Sequence, residues 1–309
     1  MKTKYSSNQF WNKLLTLPLF FTAVLAGAQA TEHAAATQEP PATPVQTSAA
    51  HEQPLNPSLP TVFVVGDSTA RNQADLGWGD HFARYFDLSK INIANRAIAG
   101  RSSRTFLREG AWDKVLAEMK RGDYVLLQMG HNDGGALDGP KPRGSLKGLG
   151  EETREVTLLN GDRETVHTYG WYIRKYIADT RAKGATPILL TLTVRNIWSP
   201  GADGRQHIEH DMGYGDLLRQ LAASEHVSLL DMAATEARVL EELGPERTAR
   251  LFPIDHTHTS AQGADLNARC VVHTIAASGS PLQAYLLVPL PRLEPDSSNQ
   301  SSQNHNPSF

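Results

Sequence analysis

Short apolar runs alternate with segments of helical spacing along most of this chain. The runs fall at 61–65, 91–94, 124–129, 187–194 and 227–232, the helical segments at 110–120, 169–183, 214–225 and 261–277. A strand that is apolar at successive positions needs cover on both faces, and alternation with helices supplies it by building βαβ units on a parallel sheet. The rhythm predicts one α/β domain over 60–291. One stretch breaks it: residues 134–150 are dense in Gly, Pro and Lys, and 155–159 and 164–167, either side of Asn160-Gly161, predict a β-hairpin turning at Asn-Gly. An insertion over 134–168 that leaves the carboxyl end of a parallel strand is expected to wall a substrate cleft; a surface loop with no part in binding is the alternative.

Both flanks lack this pattern. Lys2, Lys4 and Lys13 precede an apolar run over 14–26, and Ala28-Gln29-Ala30 supplies the small residues at which signal peptidase cleaves. Residues 1–30 therefore read as an export signal, and the mature chain as periplasmic or secreted. A membrane anchor is the competing reading, but the run is short of the ~20 residues that span a bilayer, and it contains Pro18. Residues 31–59, rich in Ala, Pro, Thr, Gln and Ser, and 292–309, rich in Ser and Asn, carry too few large apolar side chains to offset the entropy of ordering. They are expected to be a disordered linker and a disordered tail.

A formal net charge of −3, more negative still without the three lysines of the signal, argues against nucleic acid as a partner, and no basic stripe with interleaved aromatics is present. No membrane association after signal cleavage and no obligate protein partner are expected. Cys270 is the single cysteine and cannot form an intramolecular disulfide, so stability has to come from packing.

The residues able to do chemistry sit where the predicted strands end. The first strand runs into Gly66-Asp67-Ser68-Thr69-Ala70, which puts a serine hydroxyl at a sharp strand-to-helix turn; Gly-Asp-Ser is also a common helix N-cap signal. Gly100 follows the second strand, at a place where a backbone N–H can approach a ligand with no side chain in the way. Gly130-His131-Asn132-Asp133 follows the third, and its Asn132 amide either faces the same edge as Ser68 or closes an Asx turn. Before the last helix, Asp255-His256-Thr257-His258 sets a carboxylate three residues ahead of an imidazole, a spacing that lets the acid hold one ring nitrogen while the other serves as a base. A metal pair of His256 and His258 with Asp255 is the rival, but no His-Glu-x-x-His or cysteine cluster accompanies it, so neither a metal nor a cofactor is expected.

Taken together and in this order, the four segments resemble the blocks of the SGNH hydrolases, which centre on Ser, Gly, Asn and His, here Ser68, Gly100, Asn132 and His258. Within that superfamily the chain is similar to the rhamnogalacturonan acetylesterases at Gly-Asp-Ser-Thr-Ala, at Gly77-Trp78-Gly79 and over 100–106, 130–133, 167–172, 195–198 and 255–258. Thr69 stands where the wider Gly-Asp-Ser-Leu pattern has Leu, which points to the acetylesterase branch, and the Gly-x-Ser-x-Gly elbow of α/β-hydrolases is absent.

The resemblance extends over 61–278 and implies a flavodoxin-like three-layer α/β/α fold, with a five-stranded parallel sheet and a shallow active site. It also implies that Ser68 attacks an ester carbonyl, that His258 accepts its proton and that Asp255 orients the imidazole. The backbone N–H groups of Ser68 and Gly100 and the Asn132 amide would then form the oxyanion hole. The implied substrate is an acetylated polysaccharide or oligosaccharide, foremost O-acetylated rhamnogalacturonan. Another acetylated glycan such as xylan, or a non-catalytic carbohydrate-binding role, are the alternatives. Arg101, Arg104 and Arg195 are candidates to bind uronate carboxylates, and Trp198 to stack on a sugar; pairing with nearby acids and packing in the core are the competing roles.

Overall fold

Every position of Thr61–Gly66 (β1) is buried, as a continuous apolar run requires when both faces of a sheet are covered. The computed structural model describes residues 54–293; the expected export signal, most of the expected linker and nearly all of the expected tail lie outside the described residues. In chain order the strands continue with β2 (Asn92–Asn95), β3 (Tyr124–Gln128), β4 (Thr153–Thr157), β5 (Arg163–His167), β6 (Thr186–Leu190), β7 (Trp198–Pro200), β8 (Gln206–Ile208) and β9 (Ser228–Leu230). The helices are α1 (Trp78–Phe82), α2 (Ser103–Arg108), α3 (Ala111–Glu118), α4 (Tyr169–Ala182), α5 (Gly215–Glu225), α6 (Met232–Leu243), α7 (Pro245–Ala249) and α8 (Ala261–Ala277).

Five strands pair in parallel in the order β2-β1-β3-β6-β9. Because side chains alternate along a strand, the runs divide between two cores. Val62, Val64, Leu126, Ile188, Leu190 and Leu230 pack with residues of α1, α6 and α8 on one face. Phe63, Val65, Val125, Leu127 and Leu189 pack with residues of α2, α3, α4 and α5 on the other. The result is the expected three-layer α/β/α arrangement. From β1 the chain moves to one neighbour, β2, and then back across to the other, β3. Loops at that reversal part in opposite directions and leave a crevice at the carboxyl ends of the strands, where open α/β sheets bind ligands.

Several boundaries differ from the sequence expectation. The run over 187–194 is strand only as far as Leu190, because its neighbour β9 pairs no further than Leu230; the Val194 N–H donates instead to the Glu236 carboxylate at 2.8 Å. The helix α6, capped by the Asp231 side chain, is absent from the periodicity reading, since buried Glu236 interrupts its apolar stripe. The hairpin β4–β5 does form, with Thr157 opposite Arg163. Its connection spans 158–162 and is not a two-residue Asn-Gly turn: the Asp162 N–H donates to the Asn160 carboxamide oxygen and the Leu158 N–H to the Asp162 carbonyl. At the flanks, Leu55 packs against the core, the Asn56 N–H donates to Asn92 Oδ1 and Leu293 covers the other core. Contacts with the domain thus extend a few residues past both 60 and 291. Among the described residues no helix is long and apolar enough to cross a membrane.

Candidate active site

Ser68 sits in the turn that leaves β1, and the residues beside it lock that turn. The buried Asp67 carboxylate accepts hydrogen bonds from the Thr69 N–H and Oγ1 at 2.9 Å each. Thr69 Oγ1 also lies 3.2 Å from Gln128 Oε1, which accepts the Trp78 indole N–H at 2.7 Å. Burial pushes the Asp67 carboxyl up to about 6, against the pull of the two Thr69 donors. Trp78 is fully buried, so the Gly77-Trp78-Gly79 segment is a strut beneath the serine.

Ser68 and His258 are 190 positions apart in the chain, yet Ser68 Oγ and His258 Nε2 lie 3.0 Å apart. His258 Nδ1 lies 2.7 Å from Asp255 Oδ2, and the second carboxylate oxygen accepts the backbone N–H groups of Thr257 and His258 at 2.7 and 2.8 Å. Burial works against the charge on Asp255, but the bonds from the His258 side chain and from those two backbone groups outweigh it and hold the carboxyl near 2. An ionised Asp255 accepts only, so Nδ1 carries the proton and Nε2 is left as the acceptor for the serine hydroxyl. One carboxylate therefore orients the ring and sets its tautomer.

Gly100 and Asn132 complete the edge. Gly100 has a φ of +78°, a left-handed conformation that side-chain-bearing residues adopt at a cost. Asn132 is buried, and its Nδ2 donates one hydrogen to the Arg101 carbonyl at 2.8 Å, leaving the second. Both line a cleft of about 540 Å³ together with Ser68, His258, His131 and Arg195. Burial, reinforced by the charges of Arg195 and His258, drives the His131 imidazole down to about 3. Neutral His131 pairs through Nε2 with Thr193 Oγ1 at 2.9 Å.

The candidate sugar-binding residues divide. Arg195 lines the cleft. Arg101 borders an adjoining hollow of about 220 Å³ and is held by Glu109 at 2.9 Å. Arg104 does not reach substrate: its side chain is 0% exposed and its guanidinium is consumed by Glu164, at 2.8 and 2.6 Å, and by the Leu137 and Gly144 carbonyls. Trp198 does not line the cleft; it packs against one core, and its indole N–H donates to Asn196 Oδ1. In both cases the alternative role of pairing or packing holds, because a neighbour distant in sequence or on the same loop satisfies the side chain. Arg143, by contrast, lines the cleft and was not singled out from sequence, since nothing in a Gly- and Lys-rich stretch marks one cation among several.

Residues 64–266 match the GDSL-like lipase/acylhydrolase family. The chain is 35% identical over 226 residues to a rhamnogalacturonan acetylesterase of Emericella nidulans, covering 73% of this chain and 89% of that one. It is 31% identical to the probable rhamnogalacturonan acetylesterase YesY of Bacillus subtilis, covering 72% and 94%. Among solved structures, the Bacillus subtilis protein YxiM superposes with a TM-score of 0.56 at 27% identity, over 72% of this chain and 57% of that one. The strand order, the serine turn at the topological switch and these matches agree: the chain belongs to the GDSL-like lipase/acylhydrolase family, the SGNH hydrolases.

Proposed function

We propose that this enzyme, a carboxylic ester hydrolase by family, removes acetyl groups from O-acetylated rhamnogalacturonan with Ser68 as nucleophile. The observation that carries the mechanism is the unbroken chain Ser68 Oγ, His258 Nε2, His258 Nδ1, Asp255 Oδ2, with links of 3.0 and 2.7 Å, whose Ser68 and His258 line the cleft. Nε2 accepts the serine proton as Oγ attacks the acetyl carbonyl, and the imidazolium that forms is stabilised by Asp255. The backbone N–H groups of Ser68 and Gly100 and the free hydrogen of the Asn132 amide bear the negative oxygen of the tetrahedral intermediate. His258 then protonates the departing sugar alcohol, and water repeats the sequence on the acyl-serine to release acetate. The glycan is supported by the similarity to two proteins named a rhamnogalacturonan acetylesterase and a probable rhamnogalacturonan acetylesterase.

The test is acetate release from acetylated rhamnogalacturonan, acetylated xylan and 4-nitrophenyl acetate, with Ser68→Ala as control. Wild type is expected to prefer the pectic substrate, and Ser68→Ala to lose turnover on all three and labelling by an organophosphonate. Equal rates on the three esters would sink the substrate assignment; labelling of Ser68→Ala would sink the nucleophile.

A further inference from the structure

Every charged side chain lining the cleft beside Ser68 has the same sign. Arg143 and Arg195 are there, and no Asp or Glu is among the lining residues, in a chain whose formal net charge is −3. The neighbouring arginines on α2 and in the turn before it are neutralised at home: Arg101 by Glu109, Arg104 and Arg108 by Glu164. Arg195 has one long bond, to the His131 carbonyl at 3.3 Å, and its buried Nε has no partner. Among the described residues no carboxylate pairs with Arg143, which is only part-exposed. Apart from the longer-range attraction between Arg195 and buried Asp67, these two guanidinium groups have no carboxylate in ion-pair contact among the described residues, and are poised for an anion that arrives with the ligand.

Arg143 is also held in place. The next residue, Gly144, donates its N–H to the Ala136 carbonyl at 2.8 Å, and its own carbonyl accepts from Arg104 at 2.8 Å. Ser145 ties back to Asp133 twice, N–H to carbonyl and Oγ to carboxylate, at 2.9 Å each. A Cβ on Gly144 would fall 2.0 Å from the Gly135 carbonyl oxygen, so glycine alone lets this segment of the insertion cross so close to the loop that carries Asn132. The crossing brings Arg143 Nη1 to 3.9 Å from where a Cβ on Gly100 would stand. The buried links of the insertion thus end in one cation beside the proposed oxyanion donors.

We infer that Arg143, seconded by Arg195, binds the carboxylate of an acidic sugar on or next to the residue that carries the acetyl ester, and that the insertion exists to present it. This rests on the reading of the cleft as an acetylesterase site and adds a specificity-determining residue to it. Arg143 acts in binding, so its effect belongs in KM and only on substrates that carry the charge.

The experiment compares wild type, Arg143→Gln and Arg143→Lys on two pairs of acetylated oligosaccharides. One pair is rhamnogalacturonan with its carboxylates free or reduced to alcohols; the other is xylan with or without a glucuronate branch. In whichever pair is cleaved, wild type is expected to favour the acidic member by roughly tenfold in kcat/KM, through KM, as one charge-assisted fork implies. Arg143→Gln loses that preference, and Arg143→Lys, a charge without the fork, keeps part of it. A wild type indifferent to the carboxylate, or an Arg143→Gln enzyme that retains the preference, overturns the inference. So does an equal loss on acidic and neutral members, which would mean that Arg143 serves the oxyanion instead. Failure of the pectic reading looks different: both rhamnogalacturonan forms are then inert while the xylan pair still reports the charge.

Discussion

Asn132 has two amide hydrogens, and one of them is spent on the Arg101 carbonyl. That bond holds the amide in the wall of the cleft and leaves the other hydrogen for the oxyanion in the mechanism proposed above. Replacing Asn132 by Ala is expected to lower kcat on 4-nitrophenyl acetate by about 10²- to 10³-fold with little change in KM. The thermal midpoint should move only by what one lost hydrogen bond implies, roughly 1 kcal/mol. Unchanged turnover would remove Asn132 from the mechanism. At this scale the sequence was informative wherever a residue type is rare in its setting, as with a serine at a strand end or an acid three places before a histidine. It was uninformative for arginines. Arg104, Arg143 and Arg195 look alike in a string of letters, yet one is buried against Glu164, one stands unpaired at the cleft and one bonds only a carbonyl.

The hairpin β4–β5 shows the same lesson for whole elements. It is attached to the domain through Glu164, whose carboxylate takes a two-pronged bond from Arg104 of α2 and a third from Arg108 at 3.1 Å. Burial works against its charge, but the two guanidinium groups outweigh burial and hold the Glu164 carboxyl below the usual carboxylate range. Because that pKa is depressed in the fold, this contribution to stability is lost as pH falls through the folded value. Glu164→Gln leaves Arg104 buried with no counter-charge and should cost about 3 kcal/mol, read as a lowered urea midpoint at constant m-value. Adding Arg104→Met to Glu164→Gln should recover part of that loss, because the stranded charge is then gone. A single mutant within about 0.5 kcal/mol of wild type would mean that β-pairing and not this ion pair holds the hairpin. The turn residues Asn160-Gly161 were enough to announce a hairpin, but its register depended on bonds across the 158–162 loop and its docking on an arginine 60 positions away.

For the molecule as a whole, one electrostatic burden lies outside the active site. Glu236 of α6 is fully buried, accepts the Val194 N–H through one oxygen and leaves the other without a partner. Burial pushes its carboxyl up to about 8, against the pull of the Val194 N–H. A carboxyl whose folded value lies above its unfolded one binds its proton more tightly in the native state. Stability is then full below the unfolded value, near 4.5, and falls as pH rises toward about 8, by up to ~1.4 kcal/mol per pH unit. Glu236→Gln keeps an acceptor for Val194 and removes the charge, so its melting temperature should match wild type near pH 5 and exceed it increasingly up to pH 8. A gap that does not change with pH would show that Glu236 is not titrating in the fold.

Local information sufficed for the alternation of five buried strands with helices and for the serine, histidine, acid and amide segments at the strand ends, because apolar periodicity and turn chemistry act over a few residues of one chain segment. What remained for three-dimensional packing was everything that depends on which distant surfaces meet. The 3.0 Å approach of Ser68 to His258, the burial of Arg104, the packing of Trp198 against a core and the position of Arg143 at the cleft are of this kind. Each is set by distances between segments far apart in the chain, and a distance across a folded interior is a property of the packing of all the side chains between, not of the letters at its two ends.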